Sequence, residues 1–210
     1  LTGEVATIGA ALDDFEARAH AVERGLHELP AFGALGALVG RWRRLCAPLQ
    51  QLSLPLMRSR HWTQVMALLR TRLSVGTRDF LLGELVSAGL EEFAEAVGDL
   101  ADDARREHLI EARLHALASE WGDALLPVGP YRERGALALR GRETAALVDA
   151  LDESHAALAL MVGQARHVAP FREQVALWTE RLAVVGDTLE LWSGVQATWL
   201  YLEPIFEAGD

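Results

Sequence analysis

One spacing governs what this chain can fold into. From Phe171 onward, Val175, Trp178, Leu182, Val185, Leu189, Trp192, Gln196 and Trp199 recur at alternating intervals of four and three, which lays all of them along one side of an α-helix. If unbroken, the helix carries this stripe for about 42 Å at ~1.5 Å per residue. Each buried indole removes about 150–250 Å² from water. Tryptophans at 178, 192 and 199 aimed the same way are therefore expected to be walled in by neighbouring helices along the whole length.

The same period appears elsewhere. Val5, Ile8, Leu12, Phe15, Ala19, Val22, Leu26 and Leu29 predict a first helix that Pro30 ends. Phe32, Leu35, Val39, Trp42, Cys46, Leu49 and Leu52 predict a second, kinked or split at Pro48 because proline removes a helical hydrogen bond. A short third helix has Pro55 in its first turn and Trp62, Val65, Met66 and Leu69 on one side. Gly76, Gly83 and Gly89 break the next stretch into short pieces. A long helix from about Glu91 to Trp121, stopped by Gly122, carries Phe93, Val97, Leu100, Ala104, Ile110, Leu114 and Leu117. Two prolines, three glycines and the alternation at Leu137 and Leu139 predict a hairpin within 124–141, turning at 132–135. Val148, Leu151, His155, Leu158, Val162 and Ala165 form the stripe of a further helix. The expected class is all-α: an elongated antiparallel helical bundle with one small β-hairpin, divided into helical parts at 1–122 and 142–210 with the hairpin at 123–141.

Composition narrows the chemistry. With half of 210 residues hydrophobic, a sizeable core is available, and no apolar run reaches membrane-spanning length. A net charge of −10 argues against nucleic acid and anionic membranes as partners. Cys46 stands alone, so neither a disulfide nor a CxxC zinc site can form within the chain. The chain opens on Leu1, so it reads as a soluble intracellular piece of something longer.

The reactive groups have blander roles that fit their settings better. The glycines of "AFGALGALVG" match neither GxGxxG nor a P-loop, and the chain contains no lysine. His108, Glu111 and His115 share a helix face with metal-like spacing, but HExxH is absent and a solvated face is the better reading. His20 and His27 belong at the surface, whereas His155 lies inside its stripe as a core histidine. The acidic run from Glu91 to Asp103 is a charged helix face. No serine has a nucleophile-elbow context. No catalytic, cofactor-binding or metal-ligating residue is assigned. Gln196 is the polar exception in the tryptophan stripe: either its amide fixes register or meets a backbone, or the stripe has reached the surface there.

Two stretches carry a resemblance. "LMRSRHWTQV", with Arg60, His61 and Trp62, is similar to the Arg-His-Trp signature of the dynein heavy chain linker, N-terminal region 2. "WSGVQATWLYLEPIFEAGD" resembles that family's W-x2-VQ-x2-W-x-YLE-x-IF ending, here Trp192, Gln196, Trp199, Tyr201, Leu202, Glu203, Ile205 and Phe206. Between them, Ala104, Glu107 and Trp121 match the A-x2-E core and closing tryptophan of the linker's long helix, and the hairpin and Trp178 helix follow in the same order. The resemblance covers about residues 35–210.

It implies a mechanical role: a segment of the helical lever arm that lies across a ring of AAA+ modules and swings as ATP turns over. ATP and magnesium, the microtubule-binding stalk, and the tail that holds intermediate and light chains would then belong to the parent chain, in the cytoskeleton and, on composition, in a ciliary or flagellar axoneme. Glycines 83, 89, 122, 129 and 135 are candidate yielding points. The competing expectation is a spectrin-like scaffold or tether, which accounts for the stripes but not for the two signatures.

Overall fold

A computed structural model describes residues 2–22, 28–77, 80–132 and 136–207. They form α1 (Thr2–His20), α2 (Pro30–Leu52), α3 (Ser59–Leu69), α4 (Leu82–Ser87), a 3-10 turn (Leu90–Phe93), α5 (Ala94–Gly122), β1 (Val128–Tyr131), β2 (Ala136–Leu139), α6 (Gly141–Gly163), α7 (Ala165–Val168), a second 3-10 turn (Ala169–Phe171) and α8 (Arg172–Glu207). The class is all-α with one small antiparallel hairpin. Two compact units, residues 1–108 and 109–210, divide the chain inside α5.

In the first unit, α1 and α2 run antiparallel. Ala19 and His20 lie beside Phe32, Leu35 and Val39, Asp13 and Glu16 reach Arg43 near the middle, and Val5 joins Leu45 and Leu49 in the core. α1 ends at His20 rather than continuing to Leu29 as its stripe predicts. Leu29 instead immediately precedes α2, since the chain must reverse before Pro30 opens that helix; Leu26 and His27 lie outside the described residues. α2 is not split at Pro48. Proline there removes one hydrogen bond a turn from the helix end, and its ring is buried in the core. The core of this unit is completed by Trp62, Val65 and Leu69 of α3, Leu85 of α4, Leu90, and Val97 of α5. α3 starts at Ser59, so Pro55 lies in the preceding turn and not in the helix. Gly76 and Gly89 adopt φ of 85° and 77°, a left-handed conformation that favours glycine; this is what breaks the helical run between α3 and α5.

In the second unit, α6 and α8 pack antiparallel. Leu158 and Met161 of α6 share a core with Phe171, Val175 and Leu182, and further along, Leu151 closes on Gly186 at 3.4 Å from where a Cβ would stand. Ile110, Leu114 and Leu117 of α5 fill the same core. The face that α6 buries differs from the predicted stripe. Thr144, Leu151, Ser154, Leu158 and Met161 point inward, while Val148 and Val162 are exposed and His155 is only half-buried. Two small hydroxyl residues on the inner face account for this: Thr144 satisfies itself by donating to the Arg140 carbonyl at 2.8 Å, and Ser154 accepts a bond from Trp121.

Among the described residues no helix is long and apolar enough to cross a membrane. Leu158 is 1% exposed and its neighbour Leu160 is 72% exposed. Leu158→Ala is expected to cost about 2–5 kcal/mol by leaving a cavity, whereas Leu160→Ala stays within about 0.5 kcal/mol of the parent. Urea unfolding of the two variants measures the difference; equal midpoints would show that the α6 face is wrongly assigned.

Candidate functional site

Five of the residues singled out in the sequence, Arg60, His61, Glu107, Gln196 and Glu203, form two polar junctions, one in each unit. In the first, the Arg-His-Trp stretch opens α3. The backbone N–H of Arg58, the residue before the helix, donates to His61 Nδ1 at 3.0 Å, so the His61 ring caps the N-terminus of the helix by satisfying a donor that the helix itself cannot. Because Nδ1 accepts, the proton sits on Nε2, which faces Glu107 Oε2 of α5 at 2.9 Å. Arg60 donates to the same oxygen through Nε at 2.6 Å. His61 is 1% exposed, so both of its ring nitrogens must be satisfied by protein, and both are. Trp62 projects into the core, edge-on to Phe80 with ring centroids 5.8 Å apart. Ala104, one turn before Glu107, is fully buried. Glu107 thus draws α3 and α5 together through two donors from consecutive residues.

In the second unit the junction joins α8 to the hairpin. β1 and β2 pair with Val128 opposite Leu139 and Tyr131 opposite Ala136. The Gln196 side-chain amide pairs with both backbone groups of Leu139: Oε1 accepts the N–H at 2.6 Å and Nε2 donates to the C=O at 3.0 Å. It thereby occupies an edge position that a third strand would otherwise take. Two turns on, Glu203 is 6% exposed and accepts from the Tyr131 hydroxyl at 2.9 Å and from Arg132 at 3.3 Å, so the buried carboxylate is compensated as burial requires. Arg132 begins the turn at φ 49°, with its guanidinium over the Tyr131 ring. Trp121, at the end of α5, donates to Ser154 Oγ of α6 at 2.9 Å.

The tryptophan stripe is covered only in part. Trp178 is half-buried against the core, with Arg181 over its ring at 5.4 Å. Trp192 is half-buried, and Trp199 is 57% exposed, contrary to the expectation that all three are walled in. Beside Trp192 and Trp199 stand Tyr131, Leu137 and Ala138 of the two four-residue strands, a smaller cover than a helix supplies. Tyr201, Ile205 and Phe206 are well exposed and Leu202 less so.

Tyr131, Arg132 and Ser154 were missed in the sequence. A carboxylate inside an apolar ending needs donors, and a tyrosine–arginine pair at a predicted turn was the available signal. His108, Glu111 and His115 do not gather: among the described residues, no group of three histidine, cysteine or acidic side chains could hold a metal ion. Gly129 carries a different constraint from hinge freedom, since a Cβ there would stand 2.5 Å from Arg140 Nε. Gly135 lies outside the described residues.

Glu107→Ala leaves the buried His61 Nε2–H without its acceptor and is expected to cost about 1–3 kcal/mol. A double-mutant cycle with His61→Ala should return a coupling of roughly 0.5–3 kcal/mol; additive losses would remove the junction from the account. Gln196→Glu places a carboxylate against the Leu139 carbonyl and should destabilise by about 1–3 kcal/mol, read as a lower urea midpoint. An unchanged midpoint would mean that the amide pairing contributes nothing.

The family model described as "Dynein heavy chain, N-terminal region 2" matches residues 2–210, extending the similarity to the N-terminal helices that the sequence motifs left out. Among curated relatives, the dynein gamma chain of the flagellar outer arm of Chlamydomonas reinhardtii is 32% identical over 185 residues, covering 88% of this chain and 4% of that protein. Dynein axonemal heavy chain 5 of Mus musculus is 30% identical over 197 residues, covering 94% of this chain and 4% of the relative. Dynein axonemal heavy chain 8 of Homo sapiens is 28% identical over 207 residues, or 99% and 5%. The chain therefore spans only about a twentieth of the length of these relatives. With the family match running almost end to end, this chain belongs to the dynein heavy chain family, in its N-terminal region 2.

Proposed function

We propose that this segment is part of the linker, the lever arm of an axonemal dynein heavy chain, and that it transmits force without performing chemistry. The observation that carries the reading is the use made of the signature residues. Arg60, His61 and Glu107 tie α3 to α5, and Gln196 and Glu203 tie α8 to the hairpin. Residues spent on joining elements suit a body that must move as a unit, since packed and hydrogen-bonded elements shift between discrete arrangements and do not deform continuously. Each helix bundle resists bending, and the polar junctions resist sliding of one element along another.

The parent chain, on this reading, hydrolyses ATP with magnesium in its AAA+ ring, and that same ring is the surface over which the segment moves. Microtubules are held through the stalk, and intermediate and light chains through the tail. The relatives named as flagellar and axonemal support placement in a cilium or flagellum. The segment's acidic balance is consistent with a protein-facing role and not a nucleic-acid one.

In the full heavy chain, the paired substitution Gln196→Leu and Glu203→Gln should slow microtubule gliding by about two-fold or more while basal ATP hydrolysis changes little, because the fault lies in transmission and not in the reacting site. Normal gliding by a folded variant would count against the lever reading. Parallel loss of gliding and hydrolysis would place the residues in the ATPase cycle itself.

A further inference from the structure

α8 is apolar on two opposite sides. At about 100° per residue, Leu191, Val195, Leu202 and Phe206 lie roughly opposite the buried Leu182 and Leu189, and all four are exposed. The 4-7-4 spacing of these residues is itself a helical seam, of the kind that takes another helix at a small crossing angle. Leu191, Val195 and Leu202 line one open groove along α8, with Asp187 and Glu190 at its N-terminal end. Neither acid has an ion-pair partner among the described residues. A contiguous apolar stripe of this length on a monomer surface marks a contact.

We infer that this outer face of α8 is covered by one amphipathic helix from another part of the same heavy chain, packed along Leu191, Val195 and Leu202, with an arginine or lysine reaching Asp187 and Glu190. This rests on the reading that the segment works inside a full heavy chain. An intramolecular occupant is favoured because the segment makes up only 4–6% of its relatives' length, so nearly all of such a polypeptide is available as the partner at high effective concentration. The helical spacing of the seam suits a helix as the occupant, packed at a small crossing angle. The two acids set the occupant's charge at one end.

The test is a photo-crosslinker, p-benzoylphenylalanine, placed at Val195 in the intact heavy chain, with the linked peptide identified by mass spectrometry. The expected product is a crosslink within the polypeptide to a segment outside these 210 residues whose apolar positions recur at 3-4 spacing and which carries a basic residue at the Asp187 end. Crosslinks to a light chain, to a second copy, or to a non-helical segment would overturn the inference, as would an uncrosslinked probe. A companion variant, Asp187→Arg with Glu190→Arg, should lower the yield several-fold; an unchanged yield contradicts the charge assignment. The outcomes separate from those of the lever reading. If the expected crosslink forms but the Gln196 and Glu203 substitutions leave gliding intact, only the lever role fails; if gliding falls and no crosslink forms, only the inferred occupant fails.

Discussion

Everything in the second unit is arranged around the burial of one side of α8. A helix of 36 residues with apolar side chains at Val175, Leu182 and Leu189 cannot stand in water on that side, and the elements that follow from this are the antiparallel α6, the end of α5, and the hairpin. The hydrophobic term supplies the magnitude, but it does not choose a register: sliding α8 by one heptad would bury nearly the same area. Register is chosen by directional bonds. Gln196 pairs with one backbone position of β2, and Glu203 must find the Tyr131 hydroxyl; a slip of a single turn would leave a buried carboxylate and a strand edge unpaired, at a loss larger than any gain in packing.

The first unit repeats this division of labour on a smaller scale. Its core draws on α1 through α5, and the position of α3 against α5 is set by Glu107 receiving His61 and Arg60. Histidine suits the place because it has two ring nitrogens with distinct roles. One closes the helix end and the other crosses to the neighbour, so the same ring couples the start of α3 to the placement of α5. Arg60, His61, Glu107, Gln196 and Glu203 thus act where packing alone is indifferent.

Much of this was legible in the chain. The long stripes identified α2, α5 and α8, and the glycine and proline pattern located the hairpin, because periodicity and turn chemistry are local signals. Three things were not local. The inner face of α6 carries Thr144 and Ser154, whose polarity hides it, while exposed Val148 and Val162 mimic a core stripe; only Trp121 Nε1 and the Arg140 carbonyl, which satisfy those hydroxyls, make the burial tolerable. The cover at the end of the tryptophan stripe is set by which elements stand beside it, a tertiary quantity, so Trp199 reads as core and stands exposed. The convergence of His61 and Arg60 on Glu107 spans about forty-six residues, beyond the reach of any periodic argument, although the resemblance had already named all three.

The proposed lever reading requires that α6, packed on α8, and the hairpin, bonded to α8 through Gln196 and Glu203, move as one body through the working cycle. It is tested most directly by spin-label distance measurements in the intact motor, with labels at Asp149→Cys on α6 and Leu137→Cys on β2, both exposed sites. The account predicts one narrow distance distribution that is the same without nucleotide, with ATP and with ADP. A distribution that broadens, splits or shifts between those states would show that the segment bends internally, and would contradict it.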